Sequence, residues 1–275
     1  MPVTSPETSW FEEAVAADAF SVWFQPVVDT TVRRIIGHEC LIRLTAGHRR
    51  EGAEVMVAAS AHRATRAFDS YTRQLAIRAI SAQPDSGAAC FLNFVPSTIG
   101  EPSELLSQTY PHPGDIVMEA TGCNRNPDIA HLRRIGDYLR EKGFGFALDD
   151  VSDNAEALRL VCDVRPDYIK LEKHLVIQMI QPRHEAAVRK LVAVAERLGV
   201  RVIAKGVERV STMEHLWEAG VQCMQGYLFG GPSPEISTCK HYDRRIPSFQ
   251  ILERYHASPV LTNLNKKLLS AIGIP

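Results

Sequence analysis

The chain's short apolar runs carry residues that can hold charge or ligate a metal. Glu39 sits in IIGHECLIRL, Asn93 in CFLNFV, and Glu119 near the end of IVMEA. Asp149 and Asp150 close FALDD, Lys170 sits in DYIKL, Lys205 follows VIA, and Gln225 opens QGYLF. Desolvating an ionised group costs several kcal/mol, so such a group is buried only with a partner. A lone Glu of this kind reads as a core ion pair. One polar residue in nearly every run reads as a shared site. Its carboxylate and amide oxygens are hard donors of the kind Mg²⁺ or Mn²⁺ takes. Two divalent ions about 3.5–4 Å apart are a recurrent device for phosphodiester hydrolysis, activating water and offsetting phosphate charge. A nearby lysine can stabilise that charge.

The elements that must position these residues alternate along the chain. Strands are expected at Phe20–Val28, Ile35–Leu44, Ala89–Val95, Asp115–Ala120, Gly145–Asp150, Asp167–Leu171, Val200–Lys205 and Cys223–Phe229. Their Val, Ile and Phe content without clean polar alternation suits strands buried on both faces. Helical spacing appears at Tyr71–Ile80, Asp153–Val161, Ile129–Lys142, His184–Leu198 and Val210–Ala219. The last three are followed by, or end just before, Gly143, Gly199 and Gly220, the residue type that most easily leaves a helix through a left-handed turn. This rhythm predicts parallel βα units. Eight strands favour a closed barrel, whose strand ends converge on one face; a doubly wound sheet is the alternative.

Composition narrows the function. The 275 residues carry 31 basic and 32 acidic side chains, a net charge of −1, which gives no footprint for DNA, RNA or a membrane surface. The start lacks a signal-peptide pattern and no apolar stretch is long enough to span a bilayer. Cys40, Cys90, Cys123, Cys162, Cys223 and Cys239 are scattered without a CxxC pair, as expected of reduced cytoplasmic thiols. Gly226–Gly231 lacks the context of a nucleotide-binding glycine loop, and no covalent-nucleophile motif is present. His38, beside Glu39 on a strand, must point to the opposite face and reads as packing. His48–Arg50 with Arg63, Arg66 and Arg73 reads as a solvated basic face.

The motifs together resemble the bacterial EAL domain family. FQPVVD (24–29) resembles its YQPIVD start, and GHECLIR (37–43) its GxEALLR, with Cys40 in place of Ala. MEAT (118–121) resembles LEIT, ALDD (147–150) AIDD, PDYIKLEK (166–173) VDxLKIDR, IAKGVE (203–208) VAEGVE, and MQGYLFGGPSP (224–234) xQGYLFSRPLP. The resemblance implies a single-domain TIM-like (β/α)8 barrel at 18–243, after a lead-in at 1–17 and before a C-terminal extension at 244–275. It implies a first metal held by Glu39, Asn93, Glu119 and Asp149, and a second held by Asp149, Asp150 and the residue at 205. Lys170 matches the catalytic lysine, Gln225 the glutamine near the attacking water, and Asp150 belongs to the same machinery. Gln25, Leu41, Arg43 and Pro232 match positions that contact cyclic-di-GMP.

Four departures point away from hydrolysis. Lys205 stands where the family ligates metal with glutamate, and an ammonium has no lone pair to give. LDDVSDN (148–154) replaces IDDFGTG, losing two glycines, and Gly122 replaces a glutamate that braces that loop. The segment after the second strand also lacks the pattern FIPLAEETG. The expectation is a degenerate EAL domain with Mg²⁺ or Mn²⁺ at the first site only and the second site empty. It would act in cyclic-di-GMP signalling as a nucleotide receptor or through a protein partner, with homodimerisation allowed. The alternative is an active metal-dependent phosphodiesterase giving the linear dinucleotide.

Overall fold

The computed structural model describes residues 10–45, 52–106, 113–123 and 127–237. Eight strands form a closed barrel in sequence order: β1 (Phe20–Asp29), β2 (Arg34–Leu44), β3 (Ala89–Phe94), β4 (Ile116–Ala120), β5 (Gly145–Val151), β6 (Tyr168–Leu171), β7 (Arg201–Ala204) and β8 (Cys223–Gln225). The helices are α1 (Trp10–Ala16), α2 (Gly52–Ala61), α3 (Thr65–Ser81), α4 (Ile129–Glu141), α5 (Ala155–Val164), α6 (Lys173–Ile177), α7 (Pro182–Leu198) and α8 (Val210–Glu218). The predicted strands fall in place, although the eighth stops at Gln225, short of the expected Phe229. The extension at 244–275 and the basic residues 48–50 lie outside the described residues.

The βα rhythm fails at its first step. β1 runs antiparallel to both β2 and β8, while every other neighbouring pair is parallel. The cause is chain length: four residues separate β1 from β2, and a parallel crossover needs a dozen or more. Asp29 folds that turn by accepting from the backbone N–H of Thr31 (2.9 Å) and Val32 (3.2 Å). The same carboxylate accepts from Arg201 at 2.8 Å, and Trp217 Nε1 donates to Thr30 Oγ1 at 2.6 Å. These bonds staple the hairpin to the bottom of the barrel. After β8 the chain returns to pair Ser233 with Phe24.

Helix ends obey their sequences. Asp128 caps α4 by accepting from His131 N, and Asn154 caps α5 by accepting from Ala157 N. Gly143, Gly199 and Gly220 all take positive φ just past α4, α7 and α8. Helices α1 and α2 were not expected from the sequence. They build a second apolar cluster in which Phe11, Ala14, Val55 and Ala58 pack with Phe20, Leu44 and Phe68. Arg73 corrects another expectation: it is buried on α3 against Asp69, rather than solvated. Asp69 also accepts from Val95 N (3.0 Å) and Thr98 Oγ1 (2.8 Å), which ties α3 to the end of β3.

His38 faces outward from β2 and is fully buried, as the strand period required. Burial pushes its pKa from 6.5 down to about 4, opposed by the Ser237 backbone. The folded state therefore keeps this ring neutral at pH values where the unfolded chain protonates it. Stability should fall as pH drops from 6.5 towards 4, by about 3 kcal/mol from this group. Urea midpoints measured across that window should show the slope in the parent protein and a shallower one in His38→Leu.

Candidate functional site

Side chains of a strand alternate in direction, so inward residues stack in layers along the barrel. The lower layer is mostly apolar: Val27, Phe91, Val117, Ala147, Ile203 and Cys223 cluster there with Tyr168 packed against them. β2 contributes Gly37 at this level, where an added Cβ would lie 2.5 Å from the Phe91 ring. Two residues further towards the mouth, each strand position becomes polar: Gln25, Glu39, Asn93, Glu119, Asp149, Lys170, Lys205 and Gln225. The barrel thus collects the predicted residues into one layer on top of an apolar plug.

Lys170 is the hub of one half. Its Nζ lies 2.8 Å from Glu39 Oε2 and 2.5 Å from Glu119 Oε2, with no exposed surface on Lys170 or Glu119. Gln225 Nε2 donates to Glu39 Oε2 at 2.7 Å and to Gln25 Oε1 at 3.2 Å, and Asn93 Nδ2 donates to Glu39 Oε1 at 3.4 Å. The two glutamates titrate in opposite directions. Burial would raise Glu39, but Lys170, Gln225 and Lys205 hold it down at about 2. Burial prevails at Glu119 and pushes it up to about 8; Lys170 opposes this, while the charges of Glu39 and Asp149 add to it. Neither Glu119 oxygen accepts a well-angled hydrogen bond. Lys170 is opposed by burial, yet its carboxylate neighbours raise its pKa and keep it an ammonium.

Lys205 is the hub of the other half. Its Nζ lies 2.6 Å from Asp149 Oδ1 and 2.5 Å from Asp150 Oδ1. Burial disfavours its charge, but the two aspartates raise its pKa. A register shift in β5 after Leu148 and a left-handed φ of 52° at Asp150 bring both carboxylates to the same ammonium. The altered loop is short: Ser152 and Asp153 lead directly to Asn154, which caps α5. Gly122 adopts φ 75°, with nothing within 4 Å of where a Cβ would sit. A side chain there meets no clash, only an unfavourable backbone conformation.

The structure brings together Glu39, Asn93, Glu119, Asp149, Asp150, Lys170, Lys205 and Gln225. Leu41 and Arg43 lie above Glu39 on the same face of β2 and are half-buried. Gln25 Nε2 donates to Gly230 O at 3.2 Å, which anchors the segment leading to half-buried Pro232. As the side chains stand, no three carboxylate, imidazole or thiolate groups among the described residues form a metal-binding group. Two ammonium groups divide the four carboxylates into two pairs. Glu39, Glu119 and Asn93 are hard oxygen donors of the kind Mg²⁺ or Mn²⁺ takes, and Lys170 stands between the two glutamates. Asp149 and Asp150 have the Lys205 ammonium between them, where a second cation would have to lie.

The EAL domain model matches residues 8–232, so the chain belongs to the EAL domain family. Among its relatives, the cyclic di-GMP phosphodiesterase RocR of Pseudomonas aeruginosa is 31% identical over 172 residues, covering 60% of this chain and 44% of that protein. The chain spans less than half the length of the first few such relatives. The FimX EAL domain of P. aeruginosa bound to c-di-GMP superposes with a TM-score of 0.72 at 18% identity, covering 85% of this chain and 98% of that one. The manganese/cy-diGMP complex of Klebsiella pneumoniae BlrP1 gives 0.69 at 24%, covering 85% and 58%. These structures share the barrel. No helix among the described residues is long and apolar enough to cross a membrane.

Two glycines test this geometry. A Cβ at Gly226 would lie 2.1 Å from Val207 O and 2.3 Å from Val207 N, both backbone atoms. Gly226→Ala should therefore cost about 3 kcal/mol in denaturant unfolding and weaken the adjoining Gln225 contact. Gly122→Glu should cost about 1–2 kcal/mol through its backbone alone. An unchanged unfolding midpoint in either variant contradicts the assigned packing or strain.

Proposed function

We propose that this EAL domain binds cyclic-di-GMP without hydrolysing it at a useful rate, as a receptor in cyclic-di-GMP signalling. The observation that carries this reading is the Lys205 ammonium lodged between Asp149 and Asp150. In the related motif a glutamate stands there. Exchanging Glu for Lys moves the local charge from −1 to +1, a change equal to the charge of one divalent ion. The protein's own cation takes over the charge balance of the second metal but not its chemistry. An ammonium offers no lone pair and cannot lower the pKa of a bound water as a metal does. Unit charges 4 Å apart interact by about 4 kcal/mol at an effective dielectric near 20, so a second divalent ion beside Lys205 is strongly opposed.

With all four carboxylates ionised the polar layer carries a formal charge of −2; Glu119, raised to about 8, keeps a proton at neutral pH until a cation displaces it. One Mg²⁺ or Mn²⁺ held by Glu39, Asn93, Glu119 and Asp149 would bring it to neutrality, so that phosphates can approach. Such an ion supplies Lewis acidity and charge; Lys170 must then release one of its glutamates. Gln25, Leu41, Arg43 and Pro232 would contact the dinucleotide above. Accompanying domains and a protein partner would carry the signal onward.

Purified protein with cyclic-di-GMP should give micromolar binding heat that depends on Mn²⁺, with no linear dinucleotide formed on incubation. Turnover comparable to an intact phosphodiesterase overturns the proposal. Absence of heat favours a role carried by the barrel surface and a protein partner. Lys205→Glu should raise bound Mn²⁺ from about one to two ions per chain while yielding little turnover, because Gly122 and the 151–154 segment remain altered. Unchanged metal content in that variant sinks the displacement argument.

A further inference from the structure

The plug beneath the polar layer carries aromatic rings as well as aliphatic side chains. Phe91 lies two residues before Asn93 on the inward face of β3, and Tyr168 two residues before Lys170 on β6. The Phe91 ring is fully buried, and the Lys170 ammonium stands over it, 5.1 Å from the ring centroid. That is within the roughly 6 Å over which a π face attracts a cation. The ring is held from two sides. Tyr168 packs against it edge-to-face, with centroids 5.3 Å apart and planes at 76°. Gly37 leaves it room: a Cβ there would lie 2.5 Å from the ring and 2.9 Å from the backbone oxygen of Ala89. At the far end of the same pair, the Arg201 guanidinium lies 5.7 Å from the Tyr168 centroid.

We propose that Phe91 is a positioning residue for Lys170: its π face holds the ammonium over the plug, and goes on holding it when a divalent cation draws Glu39 and Glu119 away. The second half rests on the one-cation reading of the polar layer. Glu39 and Glu119 are the near partners of Lys170, at 2.8 and 2.5 Å, and Asp149 adds its charge from further off. All three are carboxylates whose lone pairs a metal can claim, so Lys170 and the metal compete for the same oxygens. An aromatic ring gives the ammonium a negative face and gives Mg²⁺ or Mn²⁺ no oxygen donor. It is therefore the partner that Lys170 keeps. Without it, a displaced ammonium would lose its counter-charge in a place water does not reach, which is costly. Phe91 thus eases the transfer of the glutamates from lysine to metal, and the affinity of the first site depends on it.

The test replaces Phe91 in the full chain with 4-fluoro-, 3,5-difluoro- and 3,4,5-trifluorophenylalanine, which drain the π face step by step, and with cyclohexylalanine, which has none. Each protein is titrated with Mn²⁺ by calorimetry and unfolded in urea without metal. A desolvated contact between a cation and a ring is worth about 30-fold, the equivalent of about 2 kcal/mol. Mn²⁺ affinity should therefore fall along the series, reaching a loss of about 5- to 30-fold in the trifluoro and cyclohexyl proteins. Metal-free urea midpoints should fall in the same order, although each fluorine makes the ring more apolar. Repeating the unfolding series in Lys170→Met separates charge from fit: the cost of ring size stays, and the graded loss due to charge should vanish. If Lys170→Met does not fold, the Mn²⁺ series decides. A parent that takes up no Mn²⁺ overturns the one-cation reading, and the metal-free midpoints then decide the role of the ring by themselves. A parent that binds Mn²⁺ with equal affinity across the series, or midpoints that rise with fluorination, overturns the Phe91 assignment alone.

Discussion

Two ammonium groups hold four carboxylates together at the top of a hydrophobic plug, and the rest of the site follows from that balance. Lys170 lies where water cannot reach, so its charge is tolerable only because Glu39 and Glu119 touch it. Lys205 plays the same part for Asp149 and Asp150 nearer the surface. Removing either cation would leave buried carboxylates facing one another; burial already raises the pKa of Glu119 despite Lys170 beside it.

The barrel makes that layer possible by separating tasks along each strand. At one level it places apolar residues that exclude water, with Gly37 leaving room for the Phe91 ring. At the next it places residues whose charges must cancel. Bonds at both ends of the barrel keep the two levels in register. Asp29 and Arg201 fix the hairpin below, and Asp69 holds the chain just beyond Asn93. Small changes at such supports are felt at the polar layer because packed interiors transmit displacement.

Most of this was legible in the sequence. Glu39, Asn93, Glu119 and Lys170 each stand inside an apolar run, and the cost of burying charge implied that they meet. The positive residue at 205 was visible as an anomaly, and the structure gives it two partners. Other features were hidden for identifiable reasons. The antiparallel β1 could have been read from the four residues before β2, but the regular rhythm elsewhere masked it. Helices α1 and α2 bury a satellite cluster through a few alanines and Phe11, too weak a pattern to stand out. Arg73 looked like one more surface cation because its partner, Asp69, is recognisable only once α3 is known to dock on β3. The left-handed turn at Asp150 has no sequence signature beyond the tolerance of aspartate for that conformation.

The backbone at Gly122 works as a one-residue filter. The chain there takes a shape that only glycine enters freely, although the space around it is open. Any larger residue placed there starts at a disadvantage, before it can make a useful contact. That disadvantage is set by the backbone and is independent of the charge at 205. Conformation therefore limits what this edge of the mouth can carry, separately from its electrostatics.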